Sequence, residues 1–277
     1  MIDIQNLHFS YKRKKVFDSL NLQFSPGHVY GLLGRNGTGK STLLRNIAGL
    51  LFPKTGTISV DGNTPSLRQP KFLQNIFMVP EEFYLPNISI SNFLKHLAPF
   101  YPAFSYSQFE KYTQLFDVPA DSTLQNMSYG QKKKVLISFA LASSAKFLLM
   151  DEPTNGLDII SKSQFRKVLA EALDDDRCII ISTHQVKDLE NLIDRVTIID
   201  DGKILFDQTV EDISKKLSFR LSFDDTETQE AFYSESSLRG NAIVTANDTG
   251  DESKVDLELL YKAIVTNADS VKVAFKS

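Results

Sequence analysis

Alternating apolar and polar positions predict β-strands near the start of the chain. Residues 2–11 (IDIQNLHFSY) and 21–25 (NLQFS) alternate in this way, which is typical of half-buried strands. Unbroken apolar runs predict strands that are buried on both faces. These runs are residues 28–33 (HVYGLL), 76–79 (IFMV), 147–151 (FLLMD) and 178–183 (CIIIST).

Helical spacing of apolar residues separates most of these runs. It occurs at residues 41–51, 129–144, 160–174 and 186–193. Buried strands that alternate with helices indicate an α/β fold with a parallel sheet.

A helical, aromatic-rich segment covers residues 89–117. So many large rings predict the core of a small helical subdomain, and a ligand-binding aromatic cluster is the alternative. The rings belong to Phe93, Phe100, Tyr101, Phe104, Tyr106, Phe109, Tyr112 and Phe116.

Charge changes sign near the end of the chain. Residues 1–218 carry 25 Lys+Arg and 23 Asp+Glu, a net charge of +2, whereas residues 219–277 carry 6 and 11, a net charge of -5. We therefore predict a boundary at residues 216–219. Beyond it, FRLSF (219–223) and VKVAF (271–275) resemble strands, and residues 256–265 predict a helix.

Composition narrows the possible functions. The net charge of -3 argues against a protein built chiefly to hold nucleic acid. The single cysteine, Cys178, lies in an apolar run and is predicted to be a core residue. Neither a secretory signal nor an apolar run as long as a membrane span is visible, so we expect any membrane role to act through a partner.

The segment GRNGTGKS (34–41) matches the phosphate-loop pattern G-x-x-x-x-G-K-[ST] between a buried strand and a helix. Glycines let backbone N–H groups curl around phosphates, and the helix N-terminus adds positive potential. Lys40 is predicted to reach the β- and γ-phosphates, and the Ser41 hydroxyl to bind Mg²⁺. The alternative is a glycine-rich turn that binds nothing.

Two acids, Asp151 and Glu152, follow the buried strand FLLMD. Ligands of open α/β sheets bind at the carboxyl ends of the strands. Beside a phosphate loop, Asp151 is predicted to hold Mg²⁺ and Glu152 to polarise the attacking water. The alternative is a pair that caps the next turn.

Several motifs in one order give the chain a resemblance to the ATP-binding subunits of ABC transporters over about residues 2–210. MSYGQ (127–131) resembles the signature LSGGQ, DEPTNGLD (151–158) the Walker B end with the D-loop, and STH (182–184) the switch-histidine segment. The resemblance implies a P-loop NTPase fold of ABC type. Its parts would be an N-terminal antiparallel β subdomain, a parallel-sheet core, a helical subdomain (about 83–145) within an ATP-binding domain (1–218), and a small acidic extension (219–277).

The resemblance also implies a role for each matched residue. Glu152 and His184 would be catalytic, and Ser41, Asp151 and Glu81 would lie at the Mg²⁺. Tyr11 would stack on adenine, although it could be only an exposed loop aromatic. The remaining nucleotide contacts would come from Gly34, Arg35, Asn36, Gly37, Thr38, Gly39, Lys40, Thr42, Ser128, Gly130, Gln131 and Asp158.

The signature segment opens a helix, where Ser128 with Gln131 predicts a capping box. In the family this helix N-terminus grips ATP bound to the other subunit, so the resemblance implies a head-to-tail homo- or heterodimer, with Asp158 crossing the interface. Two residues depart from the family pattern. Tyr129 replaces the first glycine of the signature, and Glu81 stands where a glutamine is usual.

Basic runs at residues 12–15 and 132–134 are predicted to face solvent, although the second could neutralise phosphate across an interface.

From the resemblance we expect an exporter-like ATPase subunit at the cytoplasmic face of the membrane, bound to a separate permease near residues 83–127. A soluble ABC ATPase acting on ribosomes or DNA is one alternative, and a nucleotide-binding regulator without turnover is another.

Overall fold

A computed structural model describes residues 1–119, 122–248, 250 and 252–275. These residues contain three β-sheets. The strands are β1 (Ile2–Tyr11), β2 (Lys14–Phe24), β3 (His28–Leu33), β4 (Thr55–Val60), β5 (Ile76–Val79), β6 (Phe147–Asp151), β7 (Cys178–Thr183), β8 (Arg195–Asp200), β9 (Lys203–Thr209), β10 (Leu217–Ser222), β11 (Tyr233–Ser237) and β12 (Gly240–Ala246).

Helices pack around these sheets. No α-helix in the described part of the chain combines the length and apolar character needed to cross a bilayer. The α-helices are α1 (Lys40–Ile47), α2 (Pro70–Leu73), α3 (Ile90–Leu97), α4 (Tyr106–Leu115), α5 (Tyr129–Ala142), α6 (Ile159–Glu171), α7 (Val210–Lys216), α8 (Asp225–Glu230) and α9 (Leu257–Val273).

The central sheet has the strand order β5-β6-β7-β3-β8-β9. The strands from β5 to β8 pair in parallel, and β9 joins at the edge as an antiparallel strand. The four apolar runs form four neighbouring strands here, as the sequence predicts. Because parallel strands end at one edge of a sheet, the residues after β3, β5, β6 and β7 meet there.

A smaller antiparallel sheet, of order β2-β1-β4, contains the alternating N-terminal strands. Its apolar face buries Ile2, Ile4 and Phe24 in a core that also contains Leu43 and Leu44 of α1. The β1–β2 hairpin exposes residues 12–15, so the prediction of a solvated basic turn is confirmed. Cys178 is fully buried, also as predicted.

The aromatic-rich segment forms α3, a short 3-10 turn at Ala98–Phe100, and α4, rather than one continuous helix. The break follows from Pro99 in the 3-10 turn and Pro102 just after it, because proline cannot continue a helical hydrogen-bond ladder. Phe93, Phe109, Tyr112 and Phe116 are buried as predicted, whereas Phe100 and Tyr106 are mostly exposed. Fully buried Phe139 of α5 contacts the rings of Phe77, Phe93, Tyr101 and Phe104.

The extension begins with β10 and forms its own antiparallel sheet, of order β10-β12-β11. The strand prediction for VKVAF is wrong, because residues 271–273 belong to α9. Val271 is fully buried with Leu260 and Ile264, so the segment follows helical and not strand periodicity.

The helix predicted at residues 186–193 is also wrong, because the structure has only a 3-10 turn there, Val186–Leu189. The predicted segments at 83–145 and 219–277 include residues 120, 121, 249, 251, 276 and 277, which lie outside the described residues.

Candidate active site

The phosphate loop connects β3 to α1, as the sequence pattern predicts. Gly39 adopts φ +109°, and a Cβ there would lie 2.7 Å from the Phe17 ring, so the position requires glycine on two counts. Thr38 Oγ1 donates a hydrogen bond to the Arg35 carbonyl within the loop (2.9 Å), and the Arg35 guanidinium pairs with Asp200 (3.0 Å). The loop is therefore held from inside and from the end of β8.

Lys40 folds back over this loop. Its Nζ donates to the carbonyl oxygens of Gly34 (2.6 Å) and Arg35 (3.2 Å), and it lies 3.7 Å from Glu152 Oε1. Burial lowers the pKa of Lys40, while the charges of Glu152 and Asp151 raise it. A buried ammonium held by replaceable carbonyl bonds can exchange those bonds for phosphate oxygens.

Asp151 lies at the end of β6, fully buried. Its Oδ1 accepts hydrogen bonds from Ser41 Oγ (2.9 Å) and Ser182 Oγ (2.6 Å). Its Oδ2 is buried without a hydrogen-bond partner among the described residues. An unpaired carboxylate oxygen beside a serine hydroxyl fits a hard cation such as Mg²⁺. Among the described residues no group of three or more His, Cys, Asp or Glu side chains is placed to hold a metal ion.

Glu152 is held by two side chains from the end of β7. Thr183 Oγ1 donates to its Oε2 (3.1 Å), and His184 Nδ1 lies 2.9 Å from its Oε1. Glu152 itself adopts φ +46°, a conformation that costs a residue other than glycine about 1–3 kcal/mol. The structure thus brings together both predicted catalytic residues, with the carboxylate fixed in one orientation.

A cleft of about 320 Å³ opens in front of these groups. Tyr11 lies on its wall, 43% exposed, with its ring edge-on to Phe9 and its hydroxyl 3.4 Å from Thr42 Oγ1. An exposed ring at the mouth of the cleft is placed to stack on a base. The full lining is Tyr11, Lys14, Val16, Asn36, Gly37, Gly39, Lys40, Ser41, Thr42, Glu81 and Glu152.

Glu81 also reaches this cleft, directly after β5 and Pro80. Its Oε1 accepts a hydrogen bond from Asn155 Nδ2 (3.1 Å), and Asn155 Oδ1 accepts one from Gln185 Nε2 (3.2 Å). Asn155 therefore links Glu81, the acid predicted to lie at the Mg²⁺, to Gln185, which directly follows His184. The sequence analysis assigned neither residue a role, although Asn155 lies within the motif DEPTNGLD and Gln185 directly follows STH.

The signature residues lie away from the cleft. Ser128 Oγ accepts from the Gln131 backbone N–H (3.2 Å), and Gln131 Oε1 accepts from the Ser128 N–H (2.9 Å), so the predicted capping box is present. Gly130 and Asp158 do not line the cleft either. Asp158 caps α6 by accepting from the Ser161 N–H (2.7 Å), a bond that lowers the pKa of this carboxyl group.

Tyr129 and Lys133 occupy positions that the sequence did not predict. The Tyr129 hydroxyl donates to the Glu81 carbonyl, and its ring stacks on Phe83 at 5.2 Å. Lys133 is fully buried, so the prediction that residues 132–134 all face solvent is wrong. Its Nζ donates to the carbonyl oxygens of Glu152 (2.9 Å) and Asn155 (3.0 Å), which is the physical reason it turns inward.

Comparison with known proteins assigns this arrangement to a family. A family model described as ABC transporter matches residues 17–155, half of the chain. The chain belongs to the ABC transporter family. It is an ATP-binding ATPase subunit of that family, so the expected fold, nucleotide and enzyme class are confirmed.

The relatives extend over most of the chain. The ABC transporter ATP-binding protein YtrB of Bacillus subtilis (strain 168) is 27% identical over 228 residues, covering 81% of this chain and 77% of that protein. The bacitracin transport ATP-binding protein BcrA of Bacillus licheniformis is 31% identical over 231 residues, covering 80% of this chain and 75% of that protein.

Solved structures agree with these relatives. A structure described as the ATP binding subunit of an ABC transporter has a TM-score of 0.69 at 25% identity, covering 77% of this chain and 91% of that one. CbiO1 from Clostridium perfringens, described as part of the ABC transporter complex cbiONQ, has a TM-score of 0.62 at 26% identity, covering 75% of this chain and 88% of that one.

Proposed function

We propose that this subunit hydrolyses Mg-ATP to drive transport through separate membrane subunits. One observation carries the proposal: Glu152, on the wall of the cleft, is oriented by Thr183 and His184 and lies 3.7 Å from Lys40. A phosphate-binding lysine and an oriented carboxylate at one place are what hydrolysis of a terminal phosphate requires.

In this mechanism Lys40 releases the Gly34 and Arg35 carbonyls and binds oxygens of the β- and γ-phosphates. Ser41 and Asp151 would hold the Mg²⁺, which when bound neutralises phosphate charge. Glu152 accepts a proton from the attacking water, and the bonds from Thr183 and His184 fix the direction of its lone pairs. Backbone N–H groups of residues 34–41 cradle the phosphates, while Tyr11 stacks on adenine.

A second ATP-binding subunit is part of the proposal. Ser128, Gly130, Gln131 and Asp158 do not line the cleft with Lys40 and Glu152, which supports a role for them at the site of another subunit. The helix N-terminus at Ser128 carries positive potential that suits the γ-phosphate of ATP on a partner. We therefore propose a head-to-tail dimer, with either an identical or a related subunit.

A membrane permease is the proposed second partner, which would place the chain at the cytoplasmic face of the membrane. An apolar groove of about 570 Å³ lies between the end of α1 and the aromatic helical segment. Leu50 and Phe100 on its wall are 53% and 69% exposed, and exposed apolar surface of this kind marks a docking site. The relatives named above are transport subunits, which disfavours the alternative of a soluble ATPase acting on ribosomes or DNA.

Steady-state ATPase measurements on the purified chain test the proposal. Glu152→Gln keeps the size of the side chain but removes the base, and Glu230→Gln, on exposed α8, is the matched control. We expect kcat to fall by about 10²–10⁴-fold in Glu152→Gln while ATP still binds, as for the loss of a general base. Turnover that survives in Glu152→Gln would show that Glu152 is not the base.

A further inference from the structure

The C-terminal helix α9 leaves the sheet of the extension and packs on the ATPase core. Leu260, Ala263 and Ile264 are fully buried in the same core as Val196 and Ile198 of β8. The helix also contacts β9 and the 3-10 turn Val186–Leu189, which follows His184. The extension is therefore joined to the part of the molecule that holds the catalytic groups.

Tyr261 is the residue of α9 that reaches the phosphate loop. With Gly34, Arg35, Asn36, His184 and Val186 it lines a second cleft, of about 250 Å³. Burial raises the pKa of Tyr261, as does the charge of Asp200, while the charge and the backbone N–H of Arg35 lower it. The hydroxyl is shielded from water, and the Arg35 N–H that faces it does not reach hydrogen-bond geometry, so the hydroxyl has no hydrogen-bond partner among the described residues.

Ion pairs connect α9 both to the turn after His184 and to the sheet of the extension. Glu258 pairs with Lys187, three residues after His184, at 2.8 Å, and with Lys262 at 3.1 Å. Lys262 in turn pairs with Glu235 of the extension sheet at 2.9 Å. These groups are partly exposed, and such pairs contribute little to stability. The partly buried Tyr261 side chain, which packs against the core, is therefore the contact to test.

We propose that Tyr261 is a positioning residue for ATP hydrolysis, which makes the extension part of the catalytic apparatus. Tyr261 supplies one wall of the cleft that residues 34–36 and His184 also line, and α9 contacts the 3-10 turn that follows His184. Residues 34–36 belong to the phosphate loop, and His184 contacts Glu152, so loss of this wall would let the loop and the catalytic carboxylate move relative to each other. The inference rests on the proposed function, since it assigns Tyr261 a role in that reaction.

Two substitutions in the full-length chain separate the ring from its hydroxyl. Tyr261→Ala removes the wall, and we expect kcat to fall about 5–10-fold with KM for ATP changed less than about twofold, because small misplacements of reacting groups are costly. Tyr261→Phe keeps the ring and loses only an unpartnered hydroxyl, so it should retain wild-type kcat. Tyr233→Ala is the control, since Tyr233 is a partly buried tyrosine in β11 of the extension.

Hydrogen exchange gives a second readout that does not depend on turnover. We expect faster amide exchange at residues 34–40 and 184–187 in Tyr261→Ala but not in Tyr233→Ala. Unchanged exchange and unchanged kcat in Tyr261→Ala would overturn the inference, and so would equal losses in the two alanine variants. A failure of Tyr261→Phe to retain kcat would also overturn it. Absence of turnover in the wild type, in contrast, would refute the proposed function and leave the exchange test decisive for Tyr261.

Discussion

Lys133 offers the sharpest physical test of this structure. It is fully buried at the start of α5, with its Nζ bound to the backbone carbonyls of Glu152 and Asn155. Its Nζ also lies 5.3 Å from the centre of the Tyr129 ring. Burial lowers the pKa of Lys133 from 10.5 to about 8, because two carbonyls and a ring face compensate only part of the lost hydration.

The direction of the resulting pH dependence follows from this shift. Between pH 8 and pH 10.5 the unfolded chain binds the Lys133 proton and the folded chain has released it, so stability rises with pH across this window. From pH 7 to pH 9.5 the shift corresponds to a gain of about 2 kcal/mol in the free energy of unfolding. Below pH 8 the cost of burying the charge is fully present in the folded state.

Denaturant unfolding of the wild type and Lys133→Met at pH 7 and pH 9.5 measures this gain. The quantity compared is the change in the free energy of unfolding between the two pH values, in one protein and in the other. Lys132→Met is the control, because that neighbouring lysine is partly exposed and donates to the Gln125 carbonyl. We expect the wild type and Lys132→Met to gain about 2 kcal/mol relative to Lys133→Met. If the free energy of unfolding changes equally with pH in all three proteins, Lys133 does not have the lowered pKa that its burial predicts.

Two further predictions concern Glu81 and Phe139. A carboxylate at position 81 binds Mg²⁺ more strongly than an amide but repels phosphate when the metal is absent. ATP affinity should therefore depend more steeply on Mg²⁺ in the wild type than in Glu81→Gln. Equal ATP affinity with and without Mg²⁺ in both proteins would contradict this. Phe139→Ala should lower the free energy of unfolding in denaturant by about 3–5 kcal/mol, because it removes the ring on which four other aromatic rings pack. Tyr106→Ala, which removes an exposed ring, is the control, and an equal loss in the two variants would argue against this core.

The fold of the central sheet was accessible from the sequence because its signals are local. Strands buried on both faces leave unbroken apolar runs, and the bounds 76–79, 147–151 and 178–183 are those of β5, β6 and β7. The C-terminal helix was only half predicted. Its last turns read as VKVAF, and short apolar stretches do not distinguish a strand from a buried helix until a tertiary surface selects one face.

The candidate site divides in the same way. Residues whose role depends on a fixed spacing along the chain, such as Lys40, Asp151 and Glu152, were placed from the sequence alone. Lys133 was not, because a lysine in a basic run carries no sign of the carbonyls that it meets in the fold. Tyr261 could not be found either, since it lies 225 positions after Asn36, the nearest loop residue on the cleft, and the packing of α9 brings the two together.

The two departures from the family pattern, Glu81 and Tyr129, contact each other in this chain. The Tyr129 hydroxyl binds the Glu81 carbonyl, and its ring packs on Phe83 and within 2.8 Å of where a side chain on Gly156 would begin. A glycine at position 129 could make none of these contacts. The aromatic ring therefore ties the start of the signature helix to the segment that follows β5, and Gly156 is needed to leave room for it. This contact gives Tyr129 a structural reason, whereas the Glu81 side chain is explained by its separate bond to Asn155, since the carbonyl that Tyr129 binds would be present with glutamine at position 81 as well.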